Sequence, residues 1–412
     1  MRWIGVSLLL WFCGGGLSAE ELTLAQQIFD GDHRRQVSAA FKLFHKQNPD
    51  IKLKLRYFRN DGYEQRVADW LASGQGPDVL FWYGGQHTAQ FARSAKIHDL
   101  TSVLSRAQLQ RDFAHIAVDA VSVDERVYAV PGVINLWAVY YRPSIFQKYG
   151  LKPPQTWPEV LNQCRLLRKQ GVDLFAFGSR SAWATHAWFD YLNLRLNGLA
   201  FYRRLLAGEI AFTDPRVINA LEHWRSLLDQ QCMTANHAHY TVDDALPRLM
   251  HGMSAAILSY GRVEMSSLAE HDIAVMPFPE IKPGLKAWTV APVDVYLVPA
   301  YTQINSTLVR VLKFLASETF QLANSRHSSR HPARLLDEDS VRMVESQARA
   351  LIQSSPGGIQ YFDRDVPLAV ARFTPEVFVK FLQHRDVERC AKELESLRQQ
   401  ALRAGAWGPG PH

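Results

Sequence analysis

The stretch Ser73–Gly85 (SGQGPDVLFWYGG) limits what this chain can fold into more than any other. Gly74, Gln75, Gly76 and Pro77 form a turn cluster that ends the element before it. Asp78 to Trp82 reads as a short apolar strand that runs into Tyr83, Gly84 and Gly85. In an open α/β sheet the ligand crevice lies beyond the carboxyl ends of the strands. A strand ending in Trp-Tyr-Gly-Gly puts flat rings and a bendable backbone at that place. Flat rings suit the apolar face of a sugar. The same rings also serve as caps on a core, and at this point both readings of Trp82 and Tyr83 stand.

The elements around this stretch define the fold class. Glu21 to Phe29 begins as an alternating strand. Asp32 can cap a helix whose Val37, Ala40, Phe41 and Phe44 recur at helical spacing. Ile51, Leu53, Leu55 and Tyr57 alternate with Lys52, Lys54 and Arg56 as a half-buried strand. Tyr63, Val67, Trp70 and Leu71 stripe the next helix. Strand, helix, strand, helix, strand opens a parallel α/β sheet. Further on, Val127–Tyr141 is broken by Pro131-Gly132, so its halves need not share one strand. Thr156 and Glu159 form a capping box, and Pro215 follows Asp214 as the first residue of a helix. Met253–Ser259, Ile273–Pro279 and Val293–Pro299 read as apolar strands. Ser306 is placed as a helix cap, and the last third is helical.

A chain of 412 residues is long enough for two domains. The net charge of +6 is mild, and the basic residues of 52–56 alternate with apolar ones, so no nucleic-acid footprint is present. Arg2, the apolar run Ile4–Phe12 and the small pair Ser18-Ala19 form an export signal cut after Ala19. Lipid attachment at Cys13 is the weaker alternative, because bulky Trp11 and Phe12 precede it. The remaining Cys164, Cys232 and Cys390 lack metal-site spacing and are expected as buried thiols, with a bridge between two of them as the alternative in an oxidising compartment.

The usual catalytic signatures GxSxG, HExxH and GxxxxGK[ST] do not occur. Asp363 and Asp365 flank Arg364 in what reads as a solvated loop. His237 and His239 are too few for a metal site. His186 sits among aromatics as a satisfied core or cleft histidine.

The order of motifs resembles the family 1 extracellular solute-binding proteins of bacterial ABC importers, the group that includes maltose- and oligosaccharide-binding proteins. The matching pieces are FKLFHKQNPDIKLKL, LASGQGPDVLF, VYAVPG, YYRPSIFQKYGLKPPQTWPEV, FTDPRVINALEHW, DALPRLMHGMSAAILSYG, MPFPEIKPG and VRVLKFLASETFQLANSRHSSRHPAR. They span nearly the whole chain after the export signal. The resemblance implies two α/β lobes, each a mostly parallel sheet flanked by helices, with the ligand cleft between them. It implies a first lobe of 20–134 with 297–335 and a second of 135–296 with 336–404, and 405–412 reads as a mobile tail. Crossovers are implied near Gly132–Asn135, Asp294–Val298 and Leu335–Asp337. The sequence departs from the family at Arg142-Pro143-Ser144, where Asn-Lys-Asp is common, and at the basic segment Arg326–Arg334.

The resemblance implies a non-enzymatic periplasmic receptor that delivers a carbohydrate to an ABC importer permease, as a monomer without cofactor. A membrane histidine kinase or chemoreceptor is the alternative partner. A ferric ion or polyamine is the alternative ligand, with Tyr140-Tyr141 as the iron candidates. For sugar stacking the candidates are Trp82, Tyr83, Trp137, Trp183, Trp188, Tyr260 and Trp288. For hydroxyl contacts they are Asp30, Gln86, Asn135, His186 and Asp294. Arg330 is the candidate for an acidic saccharide, opposed by its reading as solvated basic surface. Trp70, Trp157 and Trp224, on helical stripes or caps, are assigned to structure.

Overall fold

A computed structural model describes residues 21–29, 31–59, 62–268, 270–325, 330–336 and 343–407. The export signal, Asp30, residues 326–329, Asp337 and the end of the tail lie outside the described residues.

Each lobe is built on a six-stranded sheet. The first runs, edge to edge, His331–Pro332, Ala129–Ile134, Val293–Leu297, Val79–Tyr83, Glu21–Ile28, Lys52–Arg59. The second runs Gly358–Ile359, Thr289–Val290, Trp137–Tyr141, Ser254–Tyr260, Asp173–Ala176, with Ala274–Met276 also on Trp137–Tyr141. The two-lobe α/β architecture is as expected, but the sheets are mixed rather than mostly parallel. Each has two parallel and three antiparallel pairings. The cause is the returning chain: Val293–Leu297 comes back from the second lobe and runs antiparallel to both neighbours.

The chain crosses from the first sheet to the second at Asn135-Leu136 and returns at Ala291-Pro292. Residues 293–296, expected in the second lobe, therefore belong to the first sheet. Pro131-Gly132 does not end the first crossing strand as expected: Ala129–Ile134 runs on through it, with only a change of register. Pro131 has no N–H to give, and the ladder shifts register opposite it, between Asp294 and Val295. Its carbonyl accepts instead from Gln321 Nε2 at 2.8 Å. A Cβ on Gly132 would stand 2.8 Å from the Asp294 carbonyl oxygen, so only glycine lets the two crossing strands pair this closely.

Strand alternation divides the core of the second lobe. Ala138 and Tyr140 face Ile257 and Val275, in an apolar cluster continuous with the first lobe. Trp137 and Val139 face Leu258, Met276 and the helices on the other side. Helix Gly31–Gln47 buries Val37, Ala40, Phe41 and Phe44, as its spacing predicts. Helix Trp157–Arg168 carries the expected capping box, and Asp214 caps Pro215–Asp229 through the Arg216 N–H. Helix Ser306–Leu315 is capped one residue earlier than expected, by Asn305, whose Oδ1 accepts from Leu308 N at 2.9 Å. Trp407, expected in the tail, is docked: its Nε1 donates to the Leu206 carbonyl at 2.9 Å.

Cys164 and Cys232, expected as free thiols, form a disulfide. Cys164 is on the buried face of helix Trp157–Arg168. Cys232 ends the turn after Pro215–Asp229, where its carbonyl accepts from Phe175 N. That bond draws the turn to the sheet edge and brings the two Cα atoms within 4.9 Å. Cys390 is the free, buried cysteine. The bridge spans 68 residues of chain. Closing a loop of that size in the unfolded state stabilises the fold by about 4 kcal/mol. Dithiothreitol should therefore lower the urea midpoint of the wild type. The Cys164→Ser/Cys232→Ser variant should start at the lower value and not respond. An unchanged wild-type midpoint after verified reduction would show that the bridge adds no stability.

Candidate functional site

The site is built where the crossings meet. Asn135 and Asp294 lie at the two crossings, and Asn135 Nδ2 donates to Asp294 Oδ2 at 3.1 Å. From the second lobe, Arg364 Nη1 donates to Asp294 Oδ1 at 3.0 Å. The Arg364 guanidinium also lies over the Tyr83 ring, 4.4 Å from its centroid. The Tyr83 hydroxyl donates to Gln27 Oε1 at 2.9 Å. Asp294 is buried, so it keeps its place because two donors meet it. These residues form a polar floor knitted from both lobes.

Beside this floor stands a group of four rings. Trp137 stacks on Tyr361 with centroids 5.2 Å apart. Tyr260 lies 5.4 Å from Trp137, and Trp183 lies 5.9 Å from Tyr260 and 6.2 Å from Tyr361. Trp137 and Tyr361 are buried and act as the base. Tyr260 is half-buried and Trp183 is 42% exposed, so these two present the usable surface. The Tyr361 hydroxyl donates to the Trp183 carbonyl at 3.0 Å and accepts from Ala187 N at 3.1 Å, which fixes the turn that carries Trp183. The sequence pattern brings Trp137 and Tyr260 together because their strands are paired, residue against residue.

Several expected contacts fall elsewhere. Trp82 is 1% exposed and packs on Phe91 inside the first lobe, so it is a core residue. Alternation is the reason: Trp82 and Tyr83 point to opposite faces of their strand, and only Tyr83 meets the floor. His186 is fully buried against Phe362 and Phe378, and burial pushes its pKa down to about 3. Trp188 is packed among Phe175, Phe177 and Phe278. Trp288 is half-buried beside Lys286, apart from the ring group. Gln86 is exposed at the start of its helix and lines a separate interlobe cavity of about 540 Å³ with Arg93, Asp119, Arg203, Gln360 and Asp365. Arg330 is buried, with Nη1 2.7 Å from His33 Nε2 and Nη2 donating to Gln36 Oε1, so it is not solvated basic surface. Asp30 lies outside the described residues.

The sequence reading missed Tyr361, Glu64, Asp363 and Arg364. Arg364 and Asp363 were placed in a solvated loop, yet the four-residue helix Phe362–Asp365 turns them toward the floor. Glu64 opens helix Tyr63–Ser73 of the first lobe, and burial raises its pKa against the lowering effect of Arg364 and Arg372. Its position at the start of the helix that follows the parallel strand Lys52–Arg59 was the available signal. Gly85 is the close approach between lobes. Its φ of 76° suits glycine, and a Cβ there would stand 2.5 Å from Gln360 Cγ.

Residues 30–321 match the family described as bacterial extracellular solute-binding protein. The chain belongs to this family. A curated relative, an uncharacterized ABC transporter extracellular-binding protein of Pyrococcus horikoshii, is 23% identical over 93% of this chain and 88% of its own length. Among solved structures, the bacterial solute receptor AcbH superposes with a TM-score of 0.83 at 20% identity, covering 93% of this chain and 98% of the other. A chitin oligosaccharide binding protein superposes with a TM-score of 0.78 at 18% identity, covering 93% and 99%. These likenesses establish the fold of an extracellular solute-binding protein. The family is one of transporter binding proteins rather than enzymes. No helix among the described residues is long and apolar enough to cross a membrane.

The placement of the tryptophans gives a direct test. Trp82→Ala should cost about 3–5 kcal/mol of stability, as a buried ring does. Trp183→Ala should stay within about 1 kcal/mol of wild type, since it is 42% exposed. Urea unfolding followed by circular dichroism reads both. A reversed order would place Trp183 in the core and Trp82 in the cleft.

Proposed function

We propose that this protein is a periplasmic receptor that captures a carbohydrate between its lobes and delivers it to the permease of an ABC importer. The observation that carries this reading is Trp183 and Tyr260 standing over the buried Trp137–Tyr361 stack, beside the Asn135–Asp294–Arg364 floor. Rings take the C–H faces of a sugar, and the floor offers donors and acceptors for its hydroxyls. Of the superposed proteins, one is a solute receptor with a preference for β-D-galactopyranose and another is a chitin oligosaccharide binding protein, and this supports a carbohydrate here. The Cys164–Cys232 bridge supports an oxidising compartment, in line with the export signal. The receptor acts as a monomer, with Tyr260, Trp183, Asn135, Asp294 and Arg364 as its contact residues.

An acidic saccharide is disfavoured in this reading. Arg330 is engaged with His33 and Gln36. The surroundings of the floor hold Glu64, Asp294 and Asp363 against Arg364 and Arg372.

A thermal-shift screen of neutral mono- and oligosaccharides should find ligands that raise the melting temperature, because they bind the folded state only. For the best of them, Trp183→Ala should weaken binding about tenfold, the scale of one stacked ring. Binding of no saccharide, or a Trp183→Ala variant with unaltered affinity, would defeat the reading. Closure is the second readout. Small-angle scattering should show a smaller radius of gyration with saturating sugar, as the lobes turn about Asn135-Leu136 and Ala291-Pro292. An unchanged radius would count against closure about these crossings.

A further inference from the structure

The ring group continues past Tyr260 into a polar rim. The Tyr260 hydroxyl donates to Asp243 Oδ1 at 3.3 Å, and Arg262 Nε lies 3.4 Å from the same oxygen. Asp243 and Arg262 keep 50% and 48% of their side-chain surface in solvent, so the pair is open on one side. The other carboxylate oxygen, Asp243 Oδ2, makes no hydrogen bond among the described residues. One continuous surface therefore holds the exposed Trp183 ring, the Tyr260 ring 5.9 Å from it, an open carboxylate oxygen and a guanidinium.

The rest of the second lobe holds these groups in place. Asp243 stands in the first turn of helix Val242–Met250. Its neighbour Asp244 is spent on that helix start, accepting from Thr241 N at 3.0 Å and from Arg180 Nη2 at 2.7 Å. Asp243 is not used in this way. The segment leading to Trp183 is laid against the same helix start. The Arg180 N–H donates to the Tyr240 carbonyl at 2.9 Å, and a Cβ on Gly178 would collide with the Thr241 carbonyl oxygen. Arg262 stands on the turn Gly261–Met265, directly after Tyr260. That turn is anchored by buried Glu264, whose Oε1 accepts from the Tyr140 hydroxyl at 2.6 Å.

An ion pair this exposed contributes little to folding. Its place at the rim of a stacking surface gives it another use. A carboxylate oxygen accepts a hydroxyl hydrogen in a charge-assisted bond, and a guanidinium N–H donates to a hydroxyl oxygen. A sugar unit lying with its C–H face on the rings points its hydroxyls outward around its edge. Burial, with the Asp243 charge second, pushes the Tyr260 phenol up to about 12, so it remains a donor to Asp243 at neutral pH.

We propose that Asp243 and Arg262 are sugar-contact residues, which take hydroxyls at the edge of the unit stacked on Trp183 and Tyr260. This rests on the carbohydrate reading and deepens it. The rim selects a neutral hydroxyl edge, because each of its charges has its opposite beside it and an ionic group of either sign gains little there. Trp183, Asp243, Tyr260 and Arg262 all belong to the second lobe, so this lobe alone offers rings, acceptor and donor to one sugar unit before the cleft closes.

The test is calorimetry with galactose, maltose, cellobiose and diacetylchitobiose, then with the monodeoxy forms of the tightest binder, on wild type, Asp243→Ala and Arg262→Ala. Asp243→Ala should weaken the parent sugar about tenfold, the scale of a hydrogen bond to a charged group. Its melting temperature without sugar should match wild type, since the pair it removes is half-exposed. One monodeoxy form should bind wild type about tenfold more weakly than the parent does, yet bind Asp243→Ala as well as the parent does. That coupling reports contact between the missing hydroxyl and the carboxylate. Asp243→Asn keeps the side-chain shape and carries the same comparison if the alanine variant fails to fold. Sugar binding that is unaltered in both Asp243→Ala and Arg262→Ala would overturn this inference and leave the carbohydrate reading standing. So would deoxy losses that are the same in wild type and Asp243→Ala. Binding of none of the four sugars to wild type would defeat both.

Discussion

The structure turns on one buried carboxylate. Asp294 sits in a strand that has just returned from the second lobe, next to the strand that leaves for it. Its two oxygens are taken by Asn135 at the outgoing crossing and by Arg364 from the second lobe. A carboxylate in this position is costly without partners, and removing one partner from such a pair costs about 3–5 kcal/mol. The same contacts set the lobes' relative position at the crossings. A second buried contact lies nearby: Glu264 Oε1 accepts from the Tyr140 hydroxyl at 2.6 Å and lies 3.2 Å from His331 Nε2. His331 belongs to the first sheet and Tyr140 to the second, so this contact also ties lobe to lobe. Between them the apolar core runs on without a gap, which makes the crossing a packed joint rather than a loose linker.

A joint of this kind separates support from contact. Trp137 and Tyr361 are spent as the buried base of the ring group, and the Tyr361 hydroxyl holds the turn of Trp183 through its carbonyl. Trp183 can then stay exposed without wandering, because its backbone is tied even though its ring is free. The affinity of a ring for a sugar depends on this preparation, since ordering a loose side chain on binding costs about 0.5–1.5 kcal/mol.

The fold was largely legible in the sequence because its signals are local. The stripe Val37, Ala40, Phe41, Phe44 faces the core as its spacing requires, and Thr156 with Glu159 caps its helix as written. Pro131-Gly132 was read as the break, but the strand runs through it and the crossing follows at Asn135-Leu136. The parallel character of the sheets was misjudged because a strand's direction depends on where the chain returns from, and nothing within Val293–Leu297 records that. The disulfide was missed for a similar reason. Cys164 and Cys232 become neighbours only when Phe175 pairs beside Met233, a contact between distant segments.

The candidate site was legible by half, and the division has a physical cause. Trp137, Trp183 and Tyr260 were chosen as aromatic residues on segments expected to line the cleft, and the structure brings their rings together. Trp82, Trp188 and His186 met the same criterion and are core, because composition cannot tell which face of a strand or helix a ring takes. For Trp82 the decision rests on a single step of alternation, with Tyr83 on the other side. The charged residues were harder still. Asp363-Arg364-Asp365 reads as solvated because its sequence is polar, but a short helix between Tyr361 and Val366 carries it into the joint. Burial then divides three adjacent charges among three surroundings: Asp363 beside neutral His186, Arg364 on Asp294, and Asp365 accepting from the Gln360 N–H at 2.8 Å. A sequence shows which charges a segment has. Only the fold shows which of them its own chain neutralises.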